Sequence, residues 1–222
     1  MQTLDRINYI KSWILDYCKS MPKEPDSLVI GISGGIDSSV VSTLCAKTEF
    51  PVHVASMPIK QLPDQHDLSL AHGKWLTENF PNVNHHVIDL GETYDIFYKL
   101  MKNKFNSEHS FANTKSRIRM IALHQISGAT NGIVVGTGNK VEDFGVGFYT
   151  KYGDGGVDIS PLADCTKTQV WEIASKISII PDIIEAQPTD GLWDDSRNDE
   201  KQLGLTYKQI EEAMDNKDSK YY

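Results

Sequence analysis

The chain has 222 residues, 40% of them hydrophobic and 23% charged, with a formal net charge of -8. At about 150 residues per domain this length predicts a single domain spanning 1–222, and the acidic balance argues against general binding to nucleic acid or anionic membrane, which both need a basic surface. Cys18, Cys45 and Cys165 lie far apart without a Cys-x-x-Cys pair, the N-terminus lacks a basic-then-apolar leader, and no apolar run reaches membrane-spanning length, so a cytoplasmic protein with neither disulfides nor structural zinc is expected.

Leu4, Ile7, Ile10, Ile14 and Tyr17 recur at three- and four-residue spacing and predict one face of an opening helix that stops near Met21-Pro22. The period then changes. Residues 27–33 (Ser-Leu-Val-Ile-Gly-Ile-Ser) form the nearly continuous apolar run of a strand buried on both faces, and a helix is expected from Asp37 to Ala46. The alternation repeats: strand 52–57, helix 65–79, strand 84–90, helix 112–127, strand 132–136. Two His neighbours, His85 and His86, should face opposite ways in their strand. Thr166-x-x-Gln169 and Thr206-x-x-Gln209 read as capping boxes that open helices through 170–177 and 210–214. Such βα repetition predicts an open, doubly wound, mostly parallel sheet with flanking helices. Two stretches stay irregular: 136–157, rich in glycine, and 188–203, with Gly191, Trp193 and a cluster of acids. Long loops of this kind tend to carry function.

The segment Gly31 to Ser38 (Gly-Ile-Ser-Gly-Gly-Ile-Asp-Ser) ends a strand and begins a helix. That places free backbone N–H groups and the positive end of a helix dipole at one point, a phosphate site. Gly34 and Gly35 let the backbone turn sharply, and Ser33, Ser38 and Ser39 add hydroxyl donors. No lysine follows, so this is not the loop of P-loop NTPases. Asp37 stands where an ordinary anion site avoids a carboxylate, which makes sense if it holds Mg²⁺ against the phosphates. The plainer reading is a βα turn capped by Asp and Ser.

Ser-Gly-Gly-Ile-Asp-Ser-Ser resembles the signature of the ATP pyrophosphatases, enzymes that cut ATP between the α- and β-phosphates. Within that group, Gly136-Thr-Gly-Asn-Lys-Val-Glu142, then Phe148-Tyr-Thr-Lys-Tyr-Gly-Asp-Gly-Gly156, then Asp158-Ile-Ser-Pro-Leu and Thr166-Lys167, are similar to NAD synthetase, over about 27–214. The resemblance implies a Rossmann-like, adenine nucleotide alpha-hydrolase-like fold. It implies an ATP site of Gly31, Ser33, Gly34, Gly35, Asp37, Ser38, Thr137, Lys167 and Thr189, with Asp37 and Glu142 as Mg²⁺ ligands. It implies contacts from Arg117, Lys151 and Asp158 to deamido-NAD, and a place near the ammonia for Asp154 and Ser33. Asp154, Lys167 and Ser33 are then the catalytic candidates.

Each candidate also has a simpler account. Arg117 and Arg119 could form a solvated helix face; Lys167 opposes its helix dipole and so calls for some local anion; Asp154 between glycines could serve only a turn. The reaction implied is attack of the nicotinate carboxylate on the α-phosphate of ATP, loss of pyrophosphate, then attack of ammonia on the acyl-adenylate to give NAD and AMP. No glutaminase region is evident, so free ammonia is the expected nitrogen source, and the family is typically a homodimer. The chain departs from the pattern twice. It ends at Tyr222 without the basic C-terminal segment usual in the family, and it carries one residue more between Glu142 and Lys151 than many bacterial relatives. Another ATP pyrophosphatase that forms amides or thiolated RNA, or a non-catalytic adenine-nucleotide sensor, are the competing readings.

Overall fold

Strands β1 (Ser27–Gly31), β2 (Val52–Ser56), β3 (Val83–Val87) and β4 (Gly132–Val134) pair in parallel in the order β3-β2-β1-β4. The computed structural model describes residues 1–60, 63–189, 192 and 198–222. Central β1 is buried on both faces, and its alternation distributes the core. Leu28 and Ile30 point into a layer with α1 (Thr3–Ser20), α2 (Ile36–Ala46), α3 (Pro63–Asn79) and α6 (Lys167–Lys176), whereas Val29 points into a layer with Met120 and Leu123 of α5 (Glu108–Ala129). A continuous apolar strand is therefore required, because neither face meets water. This is the doubly wound arrangement expected from the βα repetition.

Val29 pairs with His53 of β2 on one side and with Val134 of β4 on the other. The chain thus runs one way from β1 to β2 and returns to the opposite side for β4. Such a reversal opens a crevice at the carboxyl ends of the two strands, where open α/β sheets bind ligands.

Several boundaries and faces differ from expectation. The buried stripe of α1 is Ile7, Ile10, Ile14 and Cys18, while Leu4 and Tyr17 are exposed. Leu4 lies in the first turn, where Thr3 and Arg6 reach Glu172 of α6 instead. The strands are shorter than their apolar runs: β1 stops at Gly31, β3 at Val87 and β4 at Val134. Past β3, Ile88 and Leu90 still donate to the carbonyls of Ser56 and Pro58, which prolongs the strand-like pattern without a full ladder. Helix α4 (Gly91–Met101) is not among the expected elements; Tyr94, Tyr98 and Met101 form its packed face, while Ile96 and Leu100 are exposed. Both capping boxes form as read, on α6 and on α9 (Tyr207–Asp215).

The irregular segments contain short structure. A π-helix, Val141–Val146, occupies the glycine-rich stretch and ends at Gly147 in the left-handed region. Such wide turns recur at functional sites. After α7 (Pro181–Glu185), the second stretch holds α8 (Asp199–Leu203). Gly191, Trp193 and the acids at 190, 194 and 195 lie outside the described residues.

Four histidines, His53, His72, His85 and His86, make contacts within the fold. His85 bonds to Ser56 Oγ (2.8 Å), Ser56 to Ser69 Oγ (2.7 Å), and Ser69 donates to the Ile32 carbonyl (2.8 Å), tying β3 to the entry of the glycine loop. His86 pairs instead with His53 (2.9 Å), as alternation along the strand requires. His72 is fully buried, with Nε2 on Ser42 Oγ at 2.9 Å. Ser42 already gives its proton to the Ser38 carbonyl, so His72 donates from Nε2 and keeps Nδ1 unprotonated in a dry site. Burial, with a smaller contribution from His85, lowers its pKa to about 4 against an offsetting contact to the Ser39 backbone. The unfolded chain takes up this proton near 6.5 and the folded chain only near 4, so stability falls as pH drops through that window and levels off below it. Melting curves between pH 7.5 and 4 should show the decline, and His72→Gln should flatten it; parallel pH profiles would remove His72 from the account.

Candidate active site

The glycine loop takes its shape from its own serines. Ser38 Oγ donates to the Gly35 carbonyl (3.0 Å) and lies 3.2 Å from the Ser33 N–H, while the Gly35 N–H donates to Ser33 Oγ at 3.2 Å. Gly34 has a φ of 84°, a left-handed conformation that favours glycine. The turn delivers the chain into α2, whose first intrahelical bond runs from Ser39 N to the Gly35 carbonyl. The N–H groups of Ile36, Asp37 and Ser38 precede that bond and point out of the helix end, where an anion gains most.

Three chain-distant side chains meet over this helix end. Lys167, at the start of α6, puts Nζ 2.5 Å from Asp37 Oδ2 and 2.9 Å from Glu142 Oε1, and its side chain is only 2% exposed. This is the anion that a lysine at a helix N-terminus calls for. Asn139, also fully buried, joins the two carboxylates: its Nδ2 donates to Asp37 Oδ1 (3.0 Å), and its Oδ1 accepts from the Val141 and Glu142 N–H groups. Burial raises the Asp37 pKa despite Lys167. Glu142 is also pushed up by burial, but Lys167 and the Tyr207 hydroxyl outweigh that and hold its pKa down. Lys167 stays charged, because the attraction of both carboxylates exceeds its desolvation.

A cavity of about 860 Å³ opens beside this cluster, at the carboxyl ends of β1 and β4. The loop residues Gly31, Ser33, Gly34, Gly35, Asp37 and Ser38 line one wall, with Thr137, Glu142, Lys167 and Thr189 around them. The opposite wall comes from α5 and the segment after the π-helix. There Ser116 donates to Asp154 Oδ1 (2.7 Å), the Thr150 N–H donates to the same carboxylate (3.1 Å), and Arg117 Nε donates to the Lys151 carbonyl (3.0 Å). Asp154 therefore does hold a turn, and it lines the cavity as well. Arg117 is exposed but reaches the cavity, while Arg119 is partly buried and donates to the Met57 carbonyl, so the plain solvated face does not describe them.

Asp158 is the exception among the candidates. It is exposed, its Oδ2 accepts from the Val134 N–H (2.7 Å), and it does not line the cavity. Three further residues had no assigned role in the sequence reading. Asn139 lies within the Gly136–Glu142 stretch, and Tyr207 follows the capping Thr206. Asp143 lies against Gly138, where a Cβ would fall 2.2 Å from Oδ2, and burial together with the charges of Glu142, Asp154 and Asp37 raises its pKa to about 6.

A family model described as NAD synthase matches residues 6–221. The chain belongs to the NAD synthase family. As a family member it is an ATP-using enzyme of the adenine nucleotide alpha-hydrolase fold. Its relatives include the NH(3)-dependent NAD(+) synthetase of Carboxydothermus hydrogenoformans, 34% identical over 95% of this chain and 84% of that protein. Among solved structures, an NMN synthetase from Francisella tularensis superposes with a TM-score of 0.88 at 30% identity, covering 97% of this chain and 87% of that one. An NH3-dependent NAD synthetase from Campylobacter jejuni follows at 0.78 and 25%, covering 99% and 86%. No helix among the described residues of this NAD synthase family chain is long and apolar enough to cross a membrane.

Proposed function

We propose that the chain forms NAD from deamido-NAD, ATP and ammonia through an acyl-adenylate, releasing AMP and pyrophosphate. The observation that carries this is the Lys167 ammonium seated between Asp37 and Glu142 above the N-terminus of α2. A nicotinate carboxylate is already ionised near neutral pH, so the first step needs charge neutralisation at the phosphates more than a general base. The loop from Gly31 to Ser38 binds the phosphates through backbone N–H groups, Thr137 and Thr189 flank the nucleotide, and Lys167 faces the charge that builds on the leaving pyrophosphate.

Asp37 and Glu142 are hard oxygen donors and fit Mg²⁺, whose remaining positions phosphate oxygens and water can fill. Held there, Mg²⁺ supplies further neutralisation of the triphosphate. Arg117 and Lys151, which line the cavity, bind the dinucleotide. Ser33 and Asp154 serve the ammonia, with Asp154 accepting the proton of ammonium. On this reading Asp154→Asn lowers the rate by about 10²–10⁴-fold at neutral pH and less where free ammonia is abundant; an unchanged pH–rate profile would leave Asp154 with its turn alone.

Residues 1–222 act as a single cytoplasmic domain, and a homodimer fits the exposed apolar side chains Ile96, Leu100, Phe105 and Ile121. A second reading replaces the dinucleotide by nicotinic acid mononucleotide, giving NMN; the 0.88 superposition on the Francisella tularensis NMN synthetase favours it specifically. Both readings share the adenylation chemistry. Purified protein with ATP, Mg²⁺, ammonium and equal amounts of the two acids separates them: NAD in excess supports the first, NMN in excess the second. Nucleotide binding without either product would point to a sensor.

A further inference from the structure

Tyr207 opens α9 and is buried to 1% exposure against the charged cluster. Its hydroxyl lies 2.7 Å from Glu142 Oε1 and 3.1 Å from Asp199 Oδ2, its ring face lies 4.8 Å from Lys167 Nζ, and its ring meets Trp171 edge-on at 5.9 Å. The backbone around it is fixed on both sides: the Tyr207 N–H donates to Glu200 Oε1 (2.9 Å), and Glu211, one turn on, accepts from the N–H and hydroxyl of Thr168 beside Lys167 (2.9 and 2.8 Å). A phenol has a single proton, and the shorter contact gives it to Glu142. One side chain thereby grips both members of the ion pair, the carboxylate through its hydroxyl and the ammonium through its ring.

Packing alone does not need that hydroxyl, since phenylalanine would fill the same space. We infer that Tyr207 is a positioning residue that fixes the Glu142 carboxylate so that it meets the Mg²⁺ of bound MgATP without reorganising. This rests on the reading of Glu142 as a metal ligand. Partners that orient metal ligands typically contribute 10–100-fold in metal affinity or activity.

Mn²⁺ is a suitable probe, because its free fraction can be counted by electron paramagnetic resonance in the presence of enzyme and ATP. Tyr207→Phe, which keeps the ring and removes the hydroxyl, is expected to bind Mn²⁺ about 10–100-fold more weakly in the enzyme–ATP complex and to need correspondingly more Mg²⁺ for pyrophosphate exchange. Thr206→Ala, which removes the cap of the same helix without touching Glu142, is expected to match wild type in Mn²⁺ affinity. Wild-type affinity in Tyr207→Phe, or an equal loss in Thr206→Ala, overturns the inference. Should Tyr207→Phe not fold, Asp199→Asn decides: an amide donating to the phenol oxygen commits its proton to Glu142, so affinity is expected to hold or rise, and a loss overturns the role. Glu142→Gln tests the underlying reading separately, since unchanged Mn²⁺ affinity there removes the metal site whatever Tyr207 does.

Discussion

Lys167→Met is expected to leave ATP/pyrophosphate exchange at background and to cost about 3–5 kcal/mol of stability, the usual penalty for removing one partner of a buried pair. The ammonium is almost wholly enclosed, and the two carboxylates it separates are themselves mostly covered, so solvent screens them little. Without it, Asp37 and Glu142 share one site with no positive charge between them. The same substitution should therefore make stability depend more steeply on Mg²⁺ than in wild type, because a cation that binds only the folded state adds stability by mass action. Thermal melts with and without Mg²⁺ and ATP check this. Normal exchange, or a melt indifferent to Lys167, would contradict the assignment.

Asp37→Asn separates the two roles that Lys167 combines. The amide oxygen can still accept from Asn139 or from Lys167, and the ammonium keeps Glu142 as an equal and opposite partner. Burial already works against the charge on Asp37, so little stability is lost when that charge is removed. Adenylation should nonetheless fall by at least about 10²–10³-fold, the scale seen when a preorganised electrostatic contact to the reacting group is deleted. A variant that melts like wild type and exchanges pyrophosphate at the wild-type rate would remove Asp37 from the metal and phosphate site.

The legible parts of the fold were those with local causes. A strand with no polar alternation, glycines at its end, and Thr-x-x-Gln boxes each declare themselves within a few residues, and β1, α2, α6 and α9 begin where such signals stand. Helix α4 does carry an apolar face at helical spacing, Tyr94, Tyr98 and Met101, so its signal was there to be read; on α1 the expected stripe runs one turn too far at its start, where Leu4 is exposed, and one residue off at its end, where Cys18 rather than Tyr17 is buried. The site divides in the same way. Asp37 and the loop carry their chemistry in sequence order. Lys167 announced only that it needed an anion; which anion was decided 130 positions away. Asn139 and Tyr207 have no local signature at all, since their function is a contact across the fold. Asp158 matched a motif, yet its carboxylate is engaged by the Val134 backbone at the end of the sheet.

The distance in sequence between the members of the charged cluster has a consequence for synthesis of the protein. Asp37 leaves the ribosome first, Lys167 well after it and Tyr207 later still, so a nascent chain carries the residues of the phosphate loop long before the groups that surround them. Until α6 and α9 arrive, Asp37 remains solvated and has no ammonium to face. A chain that stops before α9 therefore lacks the Tyr207 hydroxyl beside Glu142.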